Sequence, residues 1–448
     1  MAEEAAQAAP AVPKVTAPAL ASRLASSGLS LPKAPGSPSK LQLPGSSPGA
    51  SPSPSRVSTS SWKGLRGSVL LGAGFGRTSF FAEKQALVLC FGEAWTKVGL
   101  SGESRPRAIF RSTELQRKQR LGPDVDATLS LEEWVKVLSD LLNRIFFQHL
   151  HLSPKDRRIV VCDAVFSSRP FRSALATVLF KVFSVHSLCF VLENVLPLYL
   201  TGLHTGLVID LGYSSSRVLP TFAGVPVLSA FSDASCGAKH LLQALKVSLS
   251  TSEEAAKALE DETLLEDCLV CACYVACDFP EDGEYPARSL KTDKDAEVRI
   301  AGSEKGLRVP AACRCAATEL FFEAPDTPPV TPLCACETVP EAFVRALQRS
   351  PVDLRAPLVQ NVVLCGGCAT LPGLLPRLAQ ELQKALRQEQ ALSALATKLR
   401  FTPVDFAPVC AAWTGGAIFG ALEGLPDYSA EDFNKGEPLP DWMRSGFV

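Results

Sequence analysis

Residues 206–230 constrain this chain more than any other stretch. Leu207–Ile209 is a short apolar run with β-branched residues, which suits a buried strand. Asp210 ends it, Gly212 follows two residues later, and after a polar turn a second run resumes at Val218–Phe222. The stretch therefore reads as strand, tight turn, strand. A glycine in such a turn lets the backbone approach a phosphate closely, and a neighbouring aspartate can hold a hydrated metal beside it. Aspartate and glycine are also the commonest turn residues, so one such turn does not separate a ligand site from a plain hairpin.

Two further segments sharpen the choice. Residues 86–103 repeat the design, with an apolar run, Gly92 in the turn, and Lys97 in the returning run. Residues 361–373 read as a strand running into Gly366 and Gly367. Two strand–turn–strand loops followed by a Gly-Gly loop resemble the actin, sugar-kinase and heat-shock ATPase fold, and their order and spacing resemble the actin-related proteins. Residues 273–279 and 412–422 are similar to actin-family segments as well. Gly92–Lys97, Asp156–Val161, Phe171, Arg172, Val178–Phe183, Asp210–Tyr213 and Pro440–Trp442 are similar to the branch that supplies the actin-related subunit of the dynactin pointed-end complex. The resemblance covers roughly residues 80–448 and leaves the first 65 or so unaccounted for.

The resemblance implies an α/β fold of the actin-like ATPase, ribonuclease-H-like type, with two similar halves around a nucleotide cleft. Residues 80–205, completed by 400–448, would form the first half and residues 206–399 the second. Actins carry a small outer subdomain where this chain has only residues 104–129, a short polar stretch with Arg111, Arg117, Lys118 and Arg120. That subdomain makes longitudinal contacts toward the pointed end of a filament. A chain in which it is reduced is expected to cap a filament rather than extend it.

Composition bounds the remaining choices. A chain of 448 residues, 46% of them hydrophobic, can bury a large core and should form about two domains. A net charge of −1 argues against a general nucleic-acid binder, which needs a basic surface to replace counterions. Fifteen cysteines without a secretory signal suggest a reducing compartment. The longest apolar stretch, Leu188–Leu200, is interrupted by Glu193, Asn194 and Pro197 and is too short for a membrane span. Residues 1–65 form an Ala/Pro/Ser-rich tail that buries too little apolar surface to order itself, and its prolines with Glu3 and Glu4 oppose a transit peptide.

Along the chain, Ser130 to Glu133 reads as a capping box opening a helix whose apolar residues run from Leu131 to Phe146 at helical spacing. Lys155–Arg158 reads as a solvated turn before the strand Ile159–Cys162. Helices are expected over Phe171–Val182, Val195–Thr201, Lys239–Leu249, Ser252–Ala276, Pro340–Arg349 and Leu374–Arg387, with strands at Cys189–Leu192 and Val362–Cys365. Residues 280–296 read as a charged loop before a strand pair. Cys313, Cys315, Cys334 and Cys336 have one-residue spacing, unlike zinc knuckles, and the five histidines show no ligand or triad pattern, so no metal site is expected.

For the cleft, the resemblance implies nucleotide contacts from Gly92, Lys97, Asp210, Gly212, Gly366 and Gly367. Lysine supplies a point charge to phosphate, and glycine amides can cradle it. The departures from the family pattern are serious. The metal-side aspartate of the first loop is Cys90, a poor ligand for hard Mg²⁺, and that loop's hydroxyl and second glycine are Glu93 and Ala94. The water-orienting glutamine aligns with Glu193, the second aspartate of the central turn with Tyr213, and the nucleoside contacts with Leu269, Val270 and Leu371. Orienting a water and neutralising phosphate charge are most of what phosphoryl transfer needs. The expectation is therefore no catalytic residue and no hydrolysis. ATP or ADP, where bound, would serve as a structural ligand between the halves.

The function implied is a non-catalytic actin-related subunit that caps the pointed end of dynactin's filament and supports dynein-driven microtubule transport in the cytoplasm and cytoskeleton. Its partners would be the other dynactin subunits and, indirectly, dynein, with no nucleic acid and no membrane span. The competing reading is an actin-fold ATPase or nucleotide switch in another assembly, such as a chromatin remodeller, favoured by Lys97, Asp210 and Gly212.

Overall fold

The computed structural model describes residues 84–113, 115, 129–250, 259, 261–277, 294–299, 306–323, 338–422 and 427–440. The expected tail, residues 116–128 of the basic stretch, most of the charged loop, Cys334, Cys336 and Trp442 lie outside the described residues.

Two sheets carry the architecture. The first is built from β1 (Leu87–Phe91), β2 (Trp95–Leu100), β3 (Ala108–Arg111), β4 (Arg158–Asp163) and β5 (Ser187–Leu192). The second contains β6 (Gly206–Leu211), β7 (Ser216–Phe222), β8 (Val225–Pro226) and β9 (Ser232–Ala234). A separate hairpin pairs β10 (Ala296–Arg299) with β11 (Gly306–Val309). Later in the chain, β12 (Val362–Cys365) joins the second sheet beside β6, and β13 (Tyr428–Ser429) joins the first beside β5. The sheets share one plan. An antiparallel hairpin, β1/β2 or β6/β7, has on its other side a parallel strand, β4 or β12. The first strand of each hairpin is central and almost wholly buried, which is why both read as near-continuous apolar runs.

Local signals start and stop the helices. Helix α1 (Leu131–Asn143) opens on the expected capping box: Ser130 Oγ accepts from the Glu133 amide, and the Glu133 carboxylate accepts from the Ser130 amide at 2.9 Å. Trp134, Leu138, Leu141 and Leu142 bury one face against α2 (Arg169–Thr177) and the first sheet. Both helices end in π-helical turns, Arg144–His149 and Val178–Val182, where Phe146 and Phe183 meet edge to face at 5.0 Å. Next come α3 (Leu196–Tyr199), α4 (Ala238–Leu249) and α5 (Glu262–Ala272). The last is shorter than the periodicity predicts: the chain leaves helical geometry at Cys273, because Tyr274 and Val275 donate their amides to the Arg314 and Pro372 carbonyls.

The short α6 (Cys313–Ala316) precedes α7 (Val339–Arg349), α8 (Val352–Gln360) and α9 (Leu374–Gln388). Helix α8 goes unread in the sequence because Pro357 sits inside it. Helix α10 (Ala411–Gly420) lies against β1, β4 and α3, and α11 (Ala430–Lys435) closes the described chain. Trp413 of α10 is fully buried and its indole donates to the Val88 carbonyl at 3.1 Å.

The expected surface turn is present at Lys155 and Asp156, but Arg158 is not part of it. Arg158 pairs with Asp427 at 2.7 Å and donates to the Gly420 and Leu422 carbonyls, so it ties β4 to the C-terminal segment.

Candidate functional site

The expected residues lie on the two hairpins and the loop after β12, where Gly366 stands against Asp210 and the Lys97 charge reaches Glu193 and Cys365. Register sets each partner. Cys90 stands opposite Lys97 on β2 and beside Cys162 on β4. Asp210 stands opposite Arg217 on β7 and beside Cys365 on β12. Loop one is braced from below: Ser112 Oγ donates to the Gly92 carbonyl at 2.7 Å and contacts buried Thr96 Oγ1 at 2.8 Å. In loop two the Gly212 amide donates to the Ser215 carbonyl. In loop three Gly366 has φ +96, and a Cβ there would lie 2.4 Å from the Leu211 carbonyl oxygen, so no other residue fits without movement. Its amide donates to Pro408, while Gly367 faces open space.

The centre of the site is an ion pair between the sheets. Arg217 Nη1 lies 2.6 Å from Glu193 Oε1, with both side chains largely shielded from solvent. Burial raises the Glu193 carboxyl above its ordinary value, and Arg217 opposes that shift. Burial would lower the Arg217 guanidinium, yet the charges of Glu193 and Asp210 outweigh it and raise it. Asn194, 1% exposed, donates Nδ2 to Asp210 Oδ2 at 3.3 Å, and its Oδ1 has no partner among the described residues. The Cys365 thiol also hydrogen-bonds Asp210, and burial first, then the nearby carboxylates, push it well up.

Cys90 and Cys162 form a buried thiol pair. The hydrogen bond from Cys162 lowers Cys90 against the effect of burial, with help from Lys97, and the same bond raises Cys162. The Lys97 charge therefore acts on Cys90, Glu193 and Cys365 together. Glu93 acts on Arg217 and on His240, whose Nδ1 accepts from the Gly237 amide at the start of α4. At the far end, Leu269 and Leu371 are buried in the core and Val270 is half exposed, so these positions offer no polar group to a nucleoside.

Arg217 went unread in the sequence, and Arg111 was read only as part of a polar stretch, whereas it ends β3. Arg111 lies 2.7 Å from Glu266 and 3.8 Å from Glu262 on α5, with its guanidinium 5.0 Å over the Trp95 ring. The only signal for Arg217 was its place on the returning strand, opposite Asp210 once the hairpin closes. Histidines and cysteines form no cluster able to hold a metal among the described residues.

The family model described as Actin matches residues 130–263 and 307–430, well over half of the chain. The chain belongs to the actin family. Among its relatives, actin-like protein 9 of Rattus norvegicus is 26% identical over 75% of this chain and 82% of its own length. Actin-like protein 9 of Homo sapiens is 26% identical over 76% and 82%. Actin-related protein 10 of Dictyostelium discoideum is 25% identical over 81% of this chain and 90% of its own length. The actin-like fold and the place of this chain among actin-related proteins follow.

The family implies a nucleotide with a hydrated divalent metal between the halves. The residues here do not fit that metal. Hard Mg²⁺ needs uncommitted anionic oxygens and room for its waters. Cys90 offers a buried sulfur where hard Mg²⁺ needs oxygen, and Glu193 is held by Arg217. The Asp210 and Glu193 carboxylates already face the charge of Arg217, and Lys97 acts on Glu193 as well.

Proposed function

We propose that this actin-related protein is a non-catalytic structural subunit that caps the pointed end of a dynactin-type filament and supports dynein-driven transport along microtubules. One observation carries the reading: Glu193, which aligns with the family's water-orienting glutamine, is held by Arg217 at 2.6 Å. A carboxylate held by a guanidinium cannot turn a water toward a phosphate, and the residues here do not fit the metal that would share the developing charge with Lys97. What remains is an actin-fold body whose use is its surface. The similarity to actin-related protein 10 and the matching motifs, among them Asp156–Val161 and Asp210–Tyr213, support the dynactin assignment. Its partners in this reading are the filament and pointed-end subunits, with dynein reached through them, in the cytoplasm and cytoskeleton. Among the described residues no helix is long and apolar enough to cross a membrane.

The test is capture of the full chain from cytosol under native conditions, with identification of what co-purifies at large size. Recovery of an actin-related filament subunit, the other pointed-end subunits and dynein is the expected result. Recovery of a nuclear assembly in their place, or magnesium-dependent ATP turnover by the purified chain, overturns it.

A further inference from the structure

We propose that Arg217 replaces the divalent cation as the positive charge at the joint between the two halves, so that the joint is held without metal. The proposal rests on geometry alone and stands whichever assembly the subunit joins. Glu193 follows β5 of the first sheet, whereas Asp210 and Arg217 face each other on β6 and β7 of the second. The guanidinium reaches across to Glu193 at 2.6 Å and, through the strand register, stands beside Asp210. In a metal-bearing cleft, a hydrated dication shared by both halves draws such carboxylates together. Here a side chain of the protein does so, and it cannot dissociate.

The surroundings support this arrangement. Asp210 is further satisfied by Asn194 Nδ2 at 3.3 Å, a neutral donor that suits a carboxylate already balanced by one arginine. The pair is largely withdrawn from solvent, with Glu193 13% and Arg217 25% exposed. Arginine is fitted to such a place because it stays protonated and its planar fork meets carboxylates at fixed geometry. A second cross-half contact, Arg111 with Glu266 at 2.7 Å, likewise uses arginine.

The experiment is a titration of the full chain with Mn²⁺ alone, read by electron paramagnetic resonance, together with thermal unfolding in chelator and in Mg²⁺. Wild type is expected to unfold at the same temperature in both and to bind no Mn²⁺ that Asp210→Asn abolishes. Arg217→Ser is expected to be less stable in chelator, to regain stability with Mg²⁺, and to gain one Mn²⁺ site that Asp210→Asn removes. Arg217→Lys keeps the charge and should stay metal-insensitive. Wild-type stability that falls in chelator, or wild-type Mn²⁺ binding lost in Asp210→Asn, overturns the proposal, and both are readable even where Arg217→Ser does not fold. An Arg217→Ser protein that folds but responds to metal no more than wild type overturns it as well.

Discussion

Replacing Trp413 tests how the C-terminal segment is built into the fold. The side chain is fully buried among Val88, Cys162, Leu196 and Ala417, and its indole N–H reaches the Val88 carbonyl at 3.1 Å in the central strand of the first sheet. Gly99 on β2 makes room for the ring, since a Cβ there would stand 2.6 Å from Cζ2. Trp413→Ala leaves a ring-sized hole, worth about 3–5 kcal/mol, and removes the indole donor, worth about 1 kcal/mol more. Against a total stability of about 5–15 kcal/mol, that variant is expected to lose a large share of its stability, with a sharply lowered urea midpoint. Trp413→Phe keeps most of the packing and loses the hydrogen bond and part of the volume, for about 1–3 kcal/mol. Equilibrium urea unfolding followed by circular dichroism measures both. If Trp413→Phe costs less than about 0.5 kcal/mol, α10 does not hold the first sheet in the way described, because surface substitutions already vary by that much.

Gly366→Ala should cost about 1–3 kcal/mol, from the left-handed backbone and the clash with Leu211, while Gly367→Ala, with open space around it, should be near neutral; equal midpoints for the two would refute the account of the third loop. Thiol labelling of the native protein, located by peptide mass spectrometry, should mark exposed Cys271 well before Cys268, Cys273 and Cys368, each buried and pushed up to about 12. Early modification of Cys368 would contradict its place under the third loop. Burial holds the Glu193 carboxyl above its ordinary 4.5. A raised folded value favours the protonated folded form, so this group's contribution is fully present below about 4.5 and is lost as pH rises through the folded value. Glu193→Gln should therefore flatten the stability profile from there toward neutral pH, and parallel urea-midpoint profiles would count against it.

Much of the fold is written locally. Leu207–Leu211, Leu87–Phe91 and Val362–Cys365 are strands because their apolar side chains admit burial on both faces, and α1 begins at Ser130 because two side chains satisfy its first amides. Gly92, Lys97, Asp210, Gly212, Gly366 and Gly367 lie on or just after those same strands or their hairpin partners, so their places in the two hairpins and the third loop were legible too. The early end of α5, the helix through Pro357 and the two π-helical turns were not, since each depends on what packs against it. The same holds for the charges. Arg158 finds Asp427 across 269 residues of chain, and Arg111 finds Glu266 across 155. Arg217 meets Glu193 only when the register of the second sheet and the packing of one half on the other bring them together. Periodicity and capping act within a few residues and can be read from the chain. An ion pair between separate strands is a property of their meeting, and no short stretch of sequence contains it.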